Sequence, residues 1–236
     1  MTVRAERACA TREQILTAAE RLFAEHGVFA VSNRQVSEAA GQGNNAAVGY
    51  HFGTKTDLVR AIVRKHIERI ERVRRRILAE TAGSGEVRDW VACLVRPVTE
   101  YLAEMGNPTW FARFGAQVMT DPVLRDIMID DALSSPTLVE ILGELKRCLP
   151  ELPTDVRAER RDMTSHLMAH VCAERERALA EDTPTPRADW HGTATGLIDA
   201  TVGLWTAPVT APTTGPTTGP TTGPGGRTTS RKGSRR

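Results

Sequence analysis

The chain has 236 residues, of which 40% are hydrophobic and 25% charged, and a formal net charge of +2. These values fit a globular protein, and no apolar run approaches the roughly 18–20 residues of a membrane span. The four cysteines (Cys9, Cys93, Cys148 and Cys172) form no CxxC pair and match no zinc spacing, so free thiols within the packing are expected.

The segment Met1–Ala10 carries no apolar stretch, so no signal peptide is expected and the cytoplasm is the expected location. A first helix is predicted from Thr11, a good N-cap with Gln14 three residues on. Ile15, Ala18, Ala19, Leu22 and Phe23 repeat at helical spacing, and Gly27 ends the run. A second helix starts near Ser32, turns Val36, Ala39 and Ala40 inward and stops at Gly41. A third covers about Asn44 to His51. Two short helices around a glycine-containing turn have the layout of a helix-turn-helix.

Longer helices follow. One runs from Thr54 or Thr56 to about Thr81, where Gly83-Ser84-Gly85 breaks it. The next spans about Glu86 to Gly106, with a bend expected at Pro97. After Pro108 comes Trp110 to Thr120. Asp121-Pro122 and Ser135-Pro136 each read as an N-cap followed by proline at the first helical position. They open helices of about Val123–Leu133 and Thr137–Cys148. A long helix from about Thr154 to Glu181 and a last one from Ala188 to Trp205 flank Pro184 and Pro186. No strand is predicted.

From Thr206 onward the chain carries a GPTT repeat and five basic residues with no acids. Such a segment cannot bury apolar surface and is expected to be disordered. Without it, 26 basic residues face 29 acidic ones, so DNA affinity would have to come from local patches.

The stretches TREQILTAAERLFAEHG, SNRQVSEAAG and NNAAVGYHFGTKTDLVRAIV resemble the tetracycline-repressor (TetR) family. The likeness covers about Thr11 to Val63, and YHFGTK followed by an apolar helix is its most specific piece. Between Gly41 and Phe52 the chain is one residue longer than the family's usual pattern, at Gln42-Gly43-Asn44. The resemblance implies an all-α fold: a three-helix DNA-binding head over residues 1–53 and a larger effector-binding and dimerisation part over 54–205. The tail covers 206–236. The implied function is regulation of transcription, as a repressor released from a palindromic operator by a small, largely hydrophobic effector. No enzyme activity, cofactor or metal is implied. The implied partners are double-stranded operator DNA, a second copy of the chain and the effector, with no membrane.

A DNA reader needs side chains for base edges and others for phosphates. Asn44 and Asn45 stand at the N-terminal end of the third helix and can pair with adenine or simply cap the helix. Ala46 and Ala47 can touch thymine methyl groups. Gly49 stands where many relatives carry a phosphate-binding tyrosine. Tyr50, His51 and Lys55 match family positions that touch backbone or bases, with packing as the alternative for Tyr50 and a core histidine as the alternative for His51. Ser32, Asn33 and Arg34 can join a helix N-terminus in holding phosphate. Arg4, Arg7 and Arg12 could form an arm near the minor groove.

Apolar and aromatic residues concentrate in the middle helices. Trp90, Tyr101, Met105, Trp110, Phe111, Phe114, Gln117 and Met119 are candidates for an effector pocket, with ordinary core packing as the alternative. The last two helices carry Met163, Leu167, Val171, Trp190, Ala194, Leu197, Ile198, Thr201, Val202 and Trp205. These are candidates for a four-helix interface between two subunits. His166 and His170 lie four apart but lack the glutamate of a HExxH site, and a packing role is expected.

Overall fold

The computed structural model describes residues 3–44 and 46–210, with the backbone alone for Val3 and Arg4. Ten α-helices and no strand occur among the described residues. In chain order they are α1 (Val3–His26), α2 (Asn33–Ala39), α3 (Ala47–Phe52), α4 (Lys55–Thr81) and α5 (Val87–Met105). Then follow α6 (Phe111–Met119), α7 (Pro122–Leu133), α8 (Pro136–Cys148), α9 (Thr154–Ala180) and α10 (Trp190–Thr206). The expectation of disorder in the tail falls on residues 211–236, outside the described residues.

Local chemistry explains most helix ends. Ser32 caps α2 through a reciprocal pair with Gln35, and Thr54 caps α4 in the same way with Asp57. Asp121 and Ser135 accept from the backbone N–H of Leu124 and Leu138, each with proline in the first turn as expected. Helix α1 differs from its expected start. It begins eight residues before Thr11, because Val3–Ala10 is built of helix formers and contains no breaker. In α2 the inward stripe is Val36, Ser37 and Ala40, while Ala39 faces out. Helix α5 continues through Pro97 to Gly106, where φ is 78°. The residue that lengthens the turn is absorbed locally: Gln42 Nε2 donates to Gln14 Oε1 at 3.1 Å and to the Ala40 carbonyl at 3.0 Å.

Helices α1–α3 form a head around Ile15, Leu16, Phe23, Val36 and Val48, each fully buried. Helices α4–α10 form the body. Helix α10 lies along α5, α9 along α6, and α4 against α5, α7 and α8. The head meets the body where α1 packs on α6, with Phe23 and Phe114 stacked at a centroid distance of 6.4 Å.

Buried polar groups fix the body's helices relative to one another. Glu176 on α9, 1% exposed, accepts from Thr109 Oγ1 (2.7 Å) and from the N–H groups of Ala112 (3.1 Å) and Arg113 (2.9 Å). It therefore satisfies the open N-terminus of α6 and complements its dipole. Arg160 Nη1 and Nη2 donate to the carbonyls of Trp205 and Ala207, closing the C-terminal end of α10.

This packing changes the expected subunit interface. Trp190, Ala194, Leu197, Ile198, Thr201 and Trp205 are all at most 9% exposed. They turn inward because α10 needs an apolar face against α5 within its own chain. The guanidinium of Arg175 lies 5.3 Å over the Trp190 ring, and Trp205 Nε1 donates to Thr164 Oγ1 at 2.9 Å. Met163, 44% exposed, and the partly exposed Leu167, Val171 and Val202 stay on or near the surface.

Truncating a fully buried aromatic at the head–body joint removes contacts that cannot relax fully. Phe114→Ala is expected to lower unfolding free energy by about 3–5 kcal/mol in chemical denaturation. A loss below about 1 kcal/mol would mean that α1 does not depend on α6.

Candidate functional site

Helix α3 is anchored on one side and free on the other. Ala47, Val48 and Phe52 are buried in the head, whereas Tyr50 is 83% exposed. A Cβ at Gly49 would meet nothing within 4 Å, so this face is open. His51 sits edge-on to Tyr50 at 5.1 Å. Asn44 and Ala46 are exposed, and Asn44 Oδ1 accepts from the Ala46 N–H at 2.9 Å. The Asn44 oxygen is therefore a local cap, which leaves its amide N–H groups for other contacts. Asn45 lies outside the described residues. Ala47, expected to reach thymine methyl groups, is 8% exposed and belongs to the head core. The register of a short helix whose inner face must be apolar turns it inward.

At the start of α2 the hydroxyl of Ser32 serves the capping box with Gln35. Asn33 is partly buried, and its Oδ1 has no partner among the described residues. Arg34 is exposed and pairs with Glu38 at 2.7 Å, which raises its pKa through the hydrogen bond and the neighbouring charge. Lys55 is drawn inward. Its Nζ donates to the carbonyls of Val28 at 3.1 Å and Val31 at 2.5 Å, and desolvation lowers its pKa. Lys55 thus braces the loop before α2, with one N–H left over. The expected arm is helical instead: Arg7 and Arg12 are exposed residues of α1, and the Arg12 guanidinium lies 4.9 Å over the Phe52 ring. Of the Arg4 side chain nothing is described.

A polar junction joins α1 to the body. His66 on α4, 1% exposed, places Nε2 at 2.9 Å from Glu20 Oε2 and Nδ1 at 2.8 Å from the Tyr101 hydroxyl. Its ring stacks on Phe111 with centroids 3.9 Å apart. The Tyr101 pKa is raised by burial, against an opposing hydrogen bond from Arg69. A single proton arrangement satisfies all four groups. Arg69 donates to Tyr101, Tyr101 to His66 Nδ1, and His66 Nε2–H to Glu20.

Phe111 also lines an apolar, partly open cavity of about 190 Å³ between residues of α4, α5, α6, α7 and α9. Its walls include Ile70, Leu102, Met128 and Met168. Of the eight residues expected to form an effector pocket, Phe111 lines this cavity and the other seven do not. Trp90 donates its indole N–H to the Ser84 carbonyl at 3.0 Å at the start of α5. Tyr101 belongs to the junction. Phe114 stacks on Phe23, and Gln117 Oε1 would stand 3.4 Å from a Cβ at Gly27. Trp110 faces α1 beside Gln14 and Ala18, Met119 is buried, and Met105 packs against the core. Successive residues of a helix point about 100° apart, so a cluster in sequence is not a cluster in space.

Sequence reasoning missed Glu20, His66, Glu71, Arg74 and Glu176. The signal was present on α4. His66, Glu71 and Arg74 take positions in a buried stripe with Ile62, Val63, Ile70, Val73 and Ile77, which is otherwise aliphatic. Glu71 accepts from Arg74 Nη1 and Ser135 Oγ at 2.8 and 2.6 Å, and from Thr137 Oγ1. Burial works to raise its pKa, but these hydrogen bonds outweigh it and hold the carboxyl below its ordinary range. Elsewhere, the His166 and His170 rings lie parallel at 6.3 Å, and no group of three or more His, Cys, Asp or Glu residues able to hold a metal occurs among the described residues. No described helix is long and apolar enough to cross a membrane.

A three-helix head with an outward α3, set on an all-helical body with an apolar cavity, defines a regulator of the helix-turn-helix class. Comparison with known proteins agrees. The family described as bacterial regulatory proteins, tetR family, matches residues 15–62, and the tetracyclin repressor-like C-terminal domain matches residues 92–203. The HTH-type transcriptional repressor AcnR of Corynebacterium diphtheriae is 30% identical over 152 residues, covering 61% of this chain and 72% of that protein. AcnR of Corynebacterium glutamicum is 30% identical over 123 residues, 51% of this chain, and the alignment spans 57% of that protein's length. The solved structure of the TetR-family regulator PfmR from Thermus thermophilus has a TM-score of 0.46 and 16% identity, covering 81% of this chain and 96% of that one. The chain belongs to the TetR family of bacterial regulatory proteins.

Two expectations follow from these environments. Burial pushes the Cys172 thiol up to about 12 and also raises Cys93, while Cys9 is exposed. A disulfide reagent at pH 8 should label Cys9 in the folded protein and reach Cys93 and Cys172 only on unfolding; rapid labelling of Cys172 would contradict its burial. The second concerns Glu71. Because its folded pKa is depressed, its contribution to stability is present above the ordinary carboxylate value of about 4.3 and disappears as pH falls through the lower folded value. Glu71→Gln should therefore show a shallower decline in Tm between about pH 5 and pH 3 than the parent. Identical slopes would show that the Glu71 pKa is unperturbed.

Proposed function

We propose that the chain is a homodimeric transcriptional repressor that reads a palindromic operator with α3 and is released by a small effector held in the α4–α9 cavity. The observation that carries this reading is the two-sidedness of α3. An 83% exposed Tyr50 stands with Gly49 on a helix whose other face is locked in the head core, and the exposed Asn44 and Ala46 lead into its N-terminus. The Tyr50 ring meets only His51 edge-on and stays otherwise exposed, and amide and phenol groups suit adenine edges and phosphates. Arg34 and the remaining N–H of Lys55 supply further phosphate contacts, and Ser32 and Asn33 support the same helix start. Two copies related by a two-fold axis would set their α3 helices about 34–36 Å apart, one turn of DNA.

Support for the subunit contact comes from the outer side of α9 and α10. An apolar groove there is lined by Leu167, Val171, Pro184, Gly196 and Ala200, with Met163 and Val202 elsewhere on the same pair of helices. The buried α10 residues act indirectly by fixing this surface from behind. AcnR, the relative from both Corynebacterium species, is named a repressor, which supports repression rather than activation.

Release would use the junction. A ligand pressing on Phe111 also presses on the His66 ring stacked against it, and His66 holds Glu20 on α1 of the head. A ligand that binds one geometry of this link better than another shifts the population of head positions, with a coupling of about 1–3 kcal/mol typical of such systems.

The test begins with the DNA beside the chain's own gene, footprinted with the purified full-length protein. Tyr50→Ala combined with His51→Ala should weaken operator retention at least about tenfold at fixed salt while leaving Tm and dimer mass unchanged. Unaltered footprints in that folded variant would remove α3 from the DNA interface.

A further inference from the structure

Two histidines of α9 have no part in the packing described above. His166 and His170 lie one helical turn apart, His166 half-buried and His170 exposed. Their rings are parallel with centroids 6.3 Å apart, and neither ring makes a hydrogen bond or an ion pair among the described residues. The chain's other four histidines stand singly. His66 holds Glu20 and Tyr101, His51 meets the Tyr50 ring, His26 is 3.8 Å from Glu25, and His191 is exposed in the first turn of α10.

Imidazoles at this spacing share one face of a helix, with Cβ atoms about 5–6 Å apart, and can grip one zinc ion between them. Zinc–nitrogen bonds of about 2.0–2.1 Å in a tetrahedral shell need the two donor atoms about 3.3 Å apart. Rotation of the side chains closes the gap, because no hydrogen bond holds either ring. Carboxylates stand one turn beyond each end of the pair but are engaged elsewhere. Asp162 pairs with Arg161 at 3.4 Å and Glu174 with Arg177 at 2.5 Å. The described residues accordingly contain no group of three or more side chains able to hold a metal, and the chain offers two imidazoles with the remaining positions open. Two neutral nitrogen donors suit zinc and the late first-row metals. Magnesium and calcium require oxygen ligands, which this pair lacks.

We infer that His166 and His170 chelate a divalent ion of the zinc class on the outer face of α9. His170 also lines the apolar groove with Leu167 and Val171 that is read above as the subunit contact. The site does not require that contact, since both protein ligands belong to one helix and water fills the open positions. In a two-fold pair each copy presents the same two imidazoles at the contact, so metal loading and subunit association act on one surface.

The test uses the untagged full-length protein, stripped of metal by a chelator and held above the ordinary histidine pKa of about 6.5 so that the imidazoles are neutral. Zn²⁺ alone is titrated by calorimetry, with Mg²⁺ in parallel. Zn²⁺ should bind and raise Tm, because an ion held by the folded state stabilises it, and Mg²⁺ should do neither. His166→Ala and His170→Ala should each weaken Zn²⁺ binding at least about tenfold, since either change leaves one imidazole without its chelating neighbour. His166→Gln and His170→Gln keep a polar side chain on the helix surface and should show the same loss. Cys9→Ser and His191→Ala, at exposed positions outside the pair, should keep the parent's affinity. Absence of Zn²⁺ binding by the parent would overturn the site. So would unchanged affinity in the α9 variants, or an equal loss in Cys9→Ser or His191→Ala. Binding of Mg²⁺ as tight as that of Zn²⁺ would overturn the metal class.

Discussion

Glu20, His66 and Tyr101 meet inside an apolar core, and the placement of the head depends on their meeting. Each of the three is at most 5% exposed, and each belongs to a different helix. In a medium of low dielectric, a partner lost from this chain leaves a charge or a dipole with nothing to offset it. Hydrophobic burial alone would let α1 slide or rotate on α4 and α6 at small cost. The hydrogen bonds at 2.9 and 2.8 Å to the two ring nitrogens of His66 admit one arrangement. A head held in this way is suited to switching, because an interface specified by directional bonds has few alternatives and changes between them in steps.

The same economy of polar groups recurs through the body. One carboxylate, Glu176, satisfies the N-terminus of α6 and ties it to α9. One guanidinium, Arg160, closes the end of α10. Glu71 gathers α4 and the start of α8 through Ser135 and Thr137. These links hold the helices that line the cavity, so the space beside Phe111 is set by polar contacts as well as by hydrocarbon packing.

Helix α4 carries both halves of the proposed function. At about 1.5 Å per residue its 27 residues extend about 40 Å. Lys55, at its first turn, braces the loop that leads into α2. His66 lies in its middle and Arg74 near its cavity end. Glu20, though on α1, acts through this same helix. A displacement at the cavity is thereby delivered to the head along a single stiff element rather than through a succession of loops.

The amino-acid sequence alone determined the helical class, nearly every helix boundary and the helix-turn-helix. Those features follow from local rules: capping residues, proline and glycine positions, and an apolar stripe at helical period. The tertiary structure decided what each stripe packs against. Leu197, Ile198 and Trp205 are apolar whether they face α5 of their own chain or a second subunit, and only the fold shows that they face inward. Trp90, Phe114 and Met119 are aromatic or large, and periodicity cannot distinguish a cavity wall from a filled core. His66, Glu71 and Glu176 acquire their roles from partners 46, 64 and 64 residues away in the chain: Glu20, Ser135 and Ala112. Burial and hydrogen bonding over such separations are properties of the folded whole, and no local pattern in the chain encodes them.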